Sequence, residues 1–416
     1  MKKNNKAPKL RFSGYTDDWE QRKLGEVLIS LQNNTLSRAD LSSEEGIAKN
    51  IHYGDILVKF GEVIDVKTES LPMISDETVI AKYKSSFLQN GDVIVADTAE
   101  DETVGKCTEI AGLSDEIVIS GLHTIPYRPL QKYAPGYLGY YMNSASFHNQ
   151  LLPLMQGIKV TSISKTALQN TDILYPKSAT EQAAIGTYFR NLDNLITLHQ
   201  RKLEKLQNMK KSCLQKMFPK DGATVPEIRF SEFQGDWEER TLGSCFDERL
   251  ESLPDGELLS VTIGSGIKKF SELDRHDNSN TDKSKYKRVC IGDIAYNSMR
   301  MWQGASGRSP YEGIVSPAYT VVKPIGDIDT QFFAYMFKKK EIIHLFEINS
   351  QGLTSDTWNL KYPAFSKIVV RVPRNVEEQS RIARFLLELD ELISCTEQEI
   401  EITKRMKKGC LQKMFV

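Results

Sequence analysis

The chain has little of what marks a metalloenzyme or an exported protein. Its six cysteines, Cys107, Cys213, Cys245, Cys290, Cys395 and Cys410, are scattered, and no two form a C-x-x-C pair. The six histidines show no H-x-x-x-H spacing. Close ligand pairs are the usual sequence mark of zinc, so no metal site is expected. Isolated cysteines of this kind act as small buried hydrophobes in a reducing compartment. No run approaches the ~18 apolar residues of a membrane span. Basic residues near Met1 are followed by no apolar segment, so a cytoplasmic location is expected, with no membrane partner. An excess of positive charge is also lacking, since 54 Lys and Arg face 55 Asp and Glu. A lone nucleic-acid binder usually carries a basic surplus, because phosphate neutralisation supplies much of its affinity. If DNA is a ligand, the charge must be local or supplied in part by a partner.

Motifs of catalysis are missing too. No G-x-x-x-x-G-K-[ST] loop occurs, and residues 264–269 have the wrong length and no hydroxyl after the lysine. The sequence contains no Asn-Pro or Asp-Pro dipeptide, which an adenine amino-methyltransferase would be expected to show before an aromatic residue. Pro254 and Asp255 are not followed by the acidic-x-Lys of a nuclease metal site. Nothing marks a Ser/His/acid triad. The expectation is a chain without catalytic activity that binds no cofactor itself.

What is present is repetition. Residues 8–25 align with 226–243 at ten identities in eighteen, including Trp19 with Trp237 and Gly25 with Gly243. Residues 181–218 align with 378–415 at seventeen identities in thirty-eight, both ending Leu-Gln-Lys-Met-Phe. Between these blocks the halves share only fragments, such as Gly91-Asp92 against Gly292-Asp293 and Gln156-Gly157 against Gln351-Gly352. Each half is a common frame around an individual insert, which suits two related but unequal recognition tasks.

The inserts carry short β-branched runs at 91–96, 116–120, 313–322 and 367–372, with helices expected at 134–152 and 330–346. They read as mixed α+β domains with a curled sheet. The frame blocks 181–218 and 378–415 read as long helices, the first capped by Thr180 and bounded by Pro176 and Pro219. Phe189, Leu192, Ile196, His199, Leu203, Leu206, Lys210, Cys213 and Met217 follow alternating 3–4 spacing. Leu386, Leu389, Ile393, Thr396, Ile400, Thr403, Lys407, Cys410 and Met414 repeat it. At ~1.5 Å per residue each helix would be roughly 57 Å long. A pseudo-two-fold between the halves makes their pairing antiparallel and sets the inserts at opposite ends. Lys210 and Lys407 interrupt both seams, where they would fix register or reach out to solvent. The expected order is a first recognition domain at 1–177, a spacer helix at 178–218, a second domain at 219–375 and a second spacer helix at 376–416.

Candidate DNA contacts lie in the inserts. In the second, Lys268, Lys285, Lys287, Arg300 and Arg308 gather around aromatic residues. The stretch 296–305 places Asn297, Ser298, Arg300, Trp302 and Gln303 near glycine. Asn and Gln bond adenine bidentately in the major groove, and Arg bonds guanine. The same stretch would also serve as a solvated loop beside a core tryptophan. The first insert is more acidic; its candidates are Thr98, Lys106, His123, and Lys159, Thr161 and Ser162 in the loop 157–162. The run 201–220 holds seven Lys and Arg against one Glu, suited to phosphates or simply to a helix C-terminus.

Taken together, the duplicated frame resembles the specificity subunit of type I restriction–modification systems. The features that carry this are the Trp19 and Trp237 blocks, the Gly-Asp turns, and Glu181-Gln182 and Glu378-Gln379, each downstream of a proline (Pro176, Pro373). The repeated endings and the run 313–319 add to it. The resemblance spans essentially the whole chain. It implies a fold of two mixed α/β target-recognition domains joined by an antiparallel pair of long helices with pseudo-two-fold repetition. It also implies that each domain reads one half of a bipartite target in double-stranded DNA. Two methyltransferase subunits would dock on the frame, with up to two motor-nuclease subunits, and these partners would bind S-adenosylmethionine, ATP and Mg. A competing reading is a coiled-coil scaffold whose inserts no longer read DNA.

Overall fold

A computed structural model describes residues 7–220, 222–277, 279–354 and 357–416. They form two compact units, one running to Gln200 and adding Gln398–Val416, the other Arg201–Glu397. The units are not the two sequence repeats. Each repeat closes in a long helix, and the C-terminal end of that helix belongs to the unit built mainly by the other repeat.

The long helices span Ala179–Lys216 and Val376–Lys413. The first starts ahead of Thr180, so that residue is not its cap. Ser178 Oγ instead accepts the Glu181 amide at 3.3 Å, and Asn375 Oδ1 does the same for Glu377 at 2.8 Å. The residues of both 3–4 seams are buried or half-buried. In the first unit Tyr188 Oη lies 3.4 Å from Cys410 Sγ, Asp193 lies 2.6 Å from Lys407, and His199 lies 3.1 Å from Glu399. Partner numbers fall as the first helix's numbers rise, so the two segments run antiparallel. In the second unit Lys210 pairs with Asp390.

Both seam lysines therefore anchor rather than reach solvent. Lys407 Nζ lies 2.6 Å from both Asp193 and Glu62, over the Tyr140 ring, while Tyr140 Oη donates to Asp193 at 2.6 Å. The second unit repeats the device: Lys210 sits over the Tyr335 ring, whose Oη donates to Asp390 at 2.7 Å.

The frame motifs now have causes. Glu181 is buried, and its carboxylate is gripped by Arg11 at 2.7 and 2.9 Å and by Trp19 Nε1 at 3.3 Å. Glu378 is held identically by Arg229 (2.7 and 2.8 Å) and Trp237 (3.2 Å). The neighbouring Gln182 donates to the Pro176 carbonyl and accepts the Ala134 amide. Gln379 does the same with Pro373 and Asp329. Each Glu-Gln pair thus ties helix start, N-terminal block and insert together. The terminal phenylalanines complete the cores: Phe415 stacks on Phe189 at 5.7 Å beside Trp19, and Phe218 on Phe332 at 5.2 Å beside Trp237.

Each insert is built around a sheet of its own. In the first the strand order is Leu28–Ser30, Thr124–Pro129, Val93–Ala96, Cys107–Ala111 and Val63–Asp65, antiparallel except for the last pair. In the second it is Phe246–Glu248, Tyr319–Pro324, Ile294–Asn297 and Ser306–Arg308, wholly antiparallel. Each Gly-Asp turn enters the central strand with glycine at positive φ, 90° at Gly91 and 92° at Gly292. Asp92 accepts the Gln89 amide and a bidentate Arg128, and Asp293 accepts the Cys290 amide and a bidentate Arg249. The frame strands Glu20–Lys23 and Asp172–Tyr175 pair, as do Glu238–Thr241 and Val369–Val372.

Each expected insert helix is broken in two. Tyr137–Met142 and Ala145–Leu151 are separated where Ser144 caps the second, and Thr330–Met336 and Lys340–Ile348 are separated at 337–339. The run 313–322 is likewise two strands, Gly313–Val315 and Tyr319–Pro324, because Pro317 interrupts it.

Candidate nucleic-acid interface

In the first unit, four of the expected contacts converge. Thr161–Ser162 pairs with Thr98–Ala99, with Ser162 opposite Thr98. Thr98 Oγ1 donates to Asp97 at 2.8 Å and lies 3.4 Å from His123 Nδ1, itself 3.4 Å from Asp97. His123 is the one described non-glycine residue with positive φ, at 54°. Such a backbone is uncommon outside glycine and is held only where the surroundings demand it. Here the Asp97 amide takes the His123 carbonyl at 3.1 Å, and Tyr53 meets the imidazole edge-on at 5.2 Å. Lys159 rides the exposed turn that leads into Thr161.

Lys106 does not join them. Its Nζ donates to the Leu57 carbonyl at 2.9 Å, in a cavity of about 660 Å³ whose lining includes Glu62, Asp101 and Glu102. Three carboxylates make that a poor place for a phosphate, and Lys106 stands apart from the four residues that converge. Burial, largely, depresses its ammonium pKa. The sequence reading missed Tyr53 and Asp97, together with Gln32, Asn33, Lys82 and Lys165, which line a cleft of about 500 Å³ with Asp97. Asp97 adjoins Thr98 in the chain, but the other cleft residues come from distant segments that only the fold gathers, and local spacing carried no sign of them.

The second unit presents a loop between the strands Ile294–Asn297 and Ser306–Arg308. Asn297 Oδ1 accepts the Met299 amide, and Arg300 N donates to the Asn297 carbonyl at 2.9 Å. Trp302 Nε1 donates to the Met299 carbonyl at 3.0 Å, and its ring meets Trp358 edge-on at 5.4 Å. Arg300 is exposed, with Nη1 3.4 Å from Gln303 Oε1. Asn297, Arg300, Trp302 and Gln303 are therefore presented by one braced loop. The brace is Lys338, whose Nζ donates to the carbonyls of Gly304 (2.6 Å), Ser306 (2.8 Å) and Ile263 (3.1 Å). The last belongs to the turn of the hairpin Leu259–Thr262 and Gly266–Lys269, which carries Lys268.

Ser298 is excluded from that loop face. It is buried, and its Oγ lies 2.8 Å from Thr320 Oγ1. Arg308 is excluded as well: it stands opposite Ile294 at the far end of the hairpin, and its Nε donates to Thr330 at 3.1 Å on the frame side. Lys287 is half-buried, 3.4 Å from Glu248. Lys285 is exposed just before the strand Lys287–Val289.

These features define a class of protein: a duplicated frame that presents two unlike polar loops. Residues 16–208 match the family model described as type I restriction modification DNA specificity domain. Among curated proteins, the chain is 23% identical to a putative type I restriction enzyme MjaX specificity subunit of Methanocaldococcus jannaschii, over 98% of this chain and 95% of that one. It is 26% identical to the MjaVIII specificity subunit of the same organism over 32% of each chain. A solved S subunit of a type I restriction–modification system from M. genitalium superposes with a TM-score of 0.60 over 99% of both chains at 15% identity, a likeness of fold. The resemblance read from the sequence holds. No described helix is long and apolar enough to cross a membrane.

Proposed function

We propose that this chain is the DNA-recognition subunit of a type I restriction–modification complex, non-catalytic and cytoplasmic, reading a gapped, asymmetric target. The observation that carries this is the pairing of a repeated frame with unlike presented loops. The buried Arg-Glu-Trp clamps are built alike in both units, so each unit's frame is held in the same shape, which suits two copies of one methyltransferase subunit. The loops differ, Thr98 with His123 in one unit and Asn297 with Arg300, Trp302 and Gln303 in the other, so each unit reads its own half-site. Lys159, Thr161 and Ser162 join the first set, with Lys268 and Lys285 flanking the second. The methyltransferase subunits would bring S-adenosylmethionine, and up to two motor-nuclease subunits would bring ATP and Mg.

The test is genome-wide mapping of N6-methyladenine in cells holding the cognate methyltransferase with and without this chain. A gapped, asymmetric motif that depends on the chain is expected. Its absence from a complex that still assembles would favour a scaffold whose inserts no longer read DNA.

A further inference from the structure

In each unit a loop of matching construction projects beside the reading face. In the first, Gln156 and Ser162 exchange both backbone hydrogen bonds (2.9 and 2.8 Å), and in the second Gln351 and Asn359 do so (3.1 and 2.8 Å). The residue after each glutamine is a glycine at positive φ, 112° at Gly157 and 149° at Gly352. A Cβ there would stand 1.9 Å from the Val160 carbonyl oxygen or 2.6 Å from that of Thr357, so only glycine closes either turn. Immediately after it comes a fully exposed aliphatic residue, Ile158 at 103% and Leu353 at 101% of full accessibility. Burying such a side chain is favourable, and the fold takes none of that gain in either unit.

We infer that Ile158 and Leu353 are apolar wedges that pack against stacked base pairs of the target duplex, an inference that rests on the DNA-reading function proposed above. Three observations favour DNA over a protein surface. The loops spring from the reading sites: Ser162 pairs with Thr98, while Trp358, next to Asn359, packs on Trp302. The first tip adds an exposed Lys159 and no acid. Both tips carry one exposed aliphatic residue although the neighbouring reading residues differ. A contact common to two unlike half-sites must use what every sequence shares, the stacked base faces rather than the base edges. Aliphatic side chains that enter a base step unstack it, at a few kcal/mol that the added contacts repay.

The experiment uses the full chain assembled with its methyltransferase subunits, and a duplex of the mapped motif carrying 2-aminopurine at successive positions around each half-site. Wild type is expected to raise the fluorescence at one step beside each half-site. Ile158→Ser should abolish that rise at the first half-site alone, and Leu353→Ser at the second. The double variant should bind the target 10–100-fold more weakly, with unchanged assembly by native mass spectrometry. Ile158→Leu should retain the signal. Unchanged fluorescence and affinity in the double variant would overturn the wedge, and so would lost assembly, which would make the tips protein-docking points. A wild-type chain that yields no motif fails the recognition function itself, and the wedge falls with it.

Discussion

Glu109 sits deep in the first unit, its carboxylate accepting the amides of Gly136 at 2.6 Å and Gly139 at 2.9 Å. Burial pushes its pKa up to about 7, against the opposing pull of those amides. The protonated acid is therefore favoured in the fold, and the stabilisation it brings is full below about 4.5 and is lost as pH rises through about 7. Asp92 and Asp193 are raised by burial in the same direction. The first unit should thus unfold at higher denaturant at pH 5 than at pH 7.5. Glu109 accounts for up to about 3 kcal/mol of the difference, and Glu109→Gln should flatten the slope in urea titrations. Lys338 gives a second test at this scale. Lys338→Met strands three carbonyls and should cost the second unit about 1–3 kcal/mol while leaving the first unmoved. Residue roles were the least legible part of the sequence. Asn297, Arg300, Trp302 and Gln303 share one loop, so spacing alone grouped them. Ser298 lies in the same stretch and Arg308 just beyond it, yet the turn after Asn297 buries the first against Thr320 and hairpin length carries the second away from the loop to Thr330.

At the scale of elements, the long helices and their seams were readable because their 3–4 period is a property of the chain itself. The breaks at Ser144 and at 337–339 were not. Both helices of each pair bury aromatic faces, so periodicity continues across the interruption. The seam lysines show what packing adds to periodicity. Lys407 neutralises Asp193 and Glu62 in a place where its side chain is only 15% exposed. Lys407→Met would leave two carboxylates uncompensated there, and a loss of about 3 kcal/mol is expected for the first unit. Adding Asp193→Asn and Glu62→Gln to Lys407→Met should recover most of that loss. Equal loss in single and triple variants, measured by chemical denaturation, would show that the lysine acts through its aliphatic stem instead.

At the scale of the whole molecule, the repeat was legible as two halves, but the units are exchanged halves. The first unit takes residues 398–416 from the second repeat, and the second takes 201–218 from the first. The endings are interchangeable by sequence, since 209–218 and 406–415 differ only at Ser212 against Gly409. Phe415 packs among Trp19, Tyr137 and Phe189 in one unit as Phe218 packs with Trp237 and Phe332 in the other. A fragment of residues 1–218 therefore lacks the helix end that closes its own core but carries an equivalent end with no core to enter. Two copies can satisfy each other, each inserting Phe218 where Phe415 belongs. Light scattering should find a dimer, and Phe218→Ser should disperse it, because the aromatic contact is worth about 3–5 kcal/mol in each of two cores. Such a dimer holds two first inserts and no second one. With the methyltransferase present, its methylation motif should become a palindrome built from the first half-site of the full-length target. A monomeric, folded fragment would mean that the borrowed helix end is dispensable, and an asymmetric motif would mean that the first insert does not read one half-site by itself.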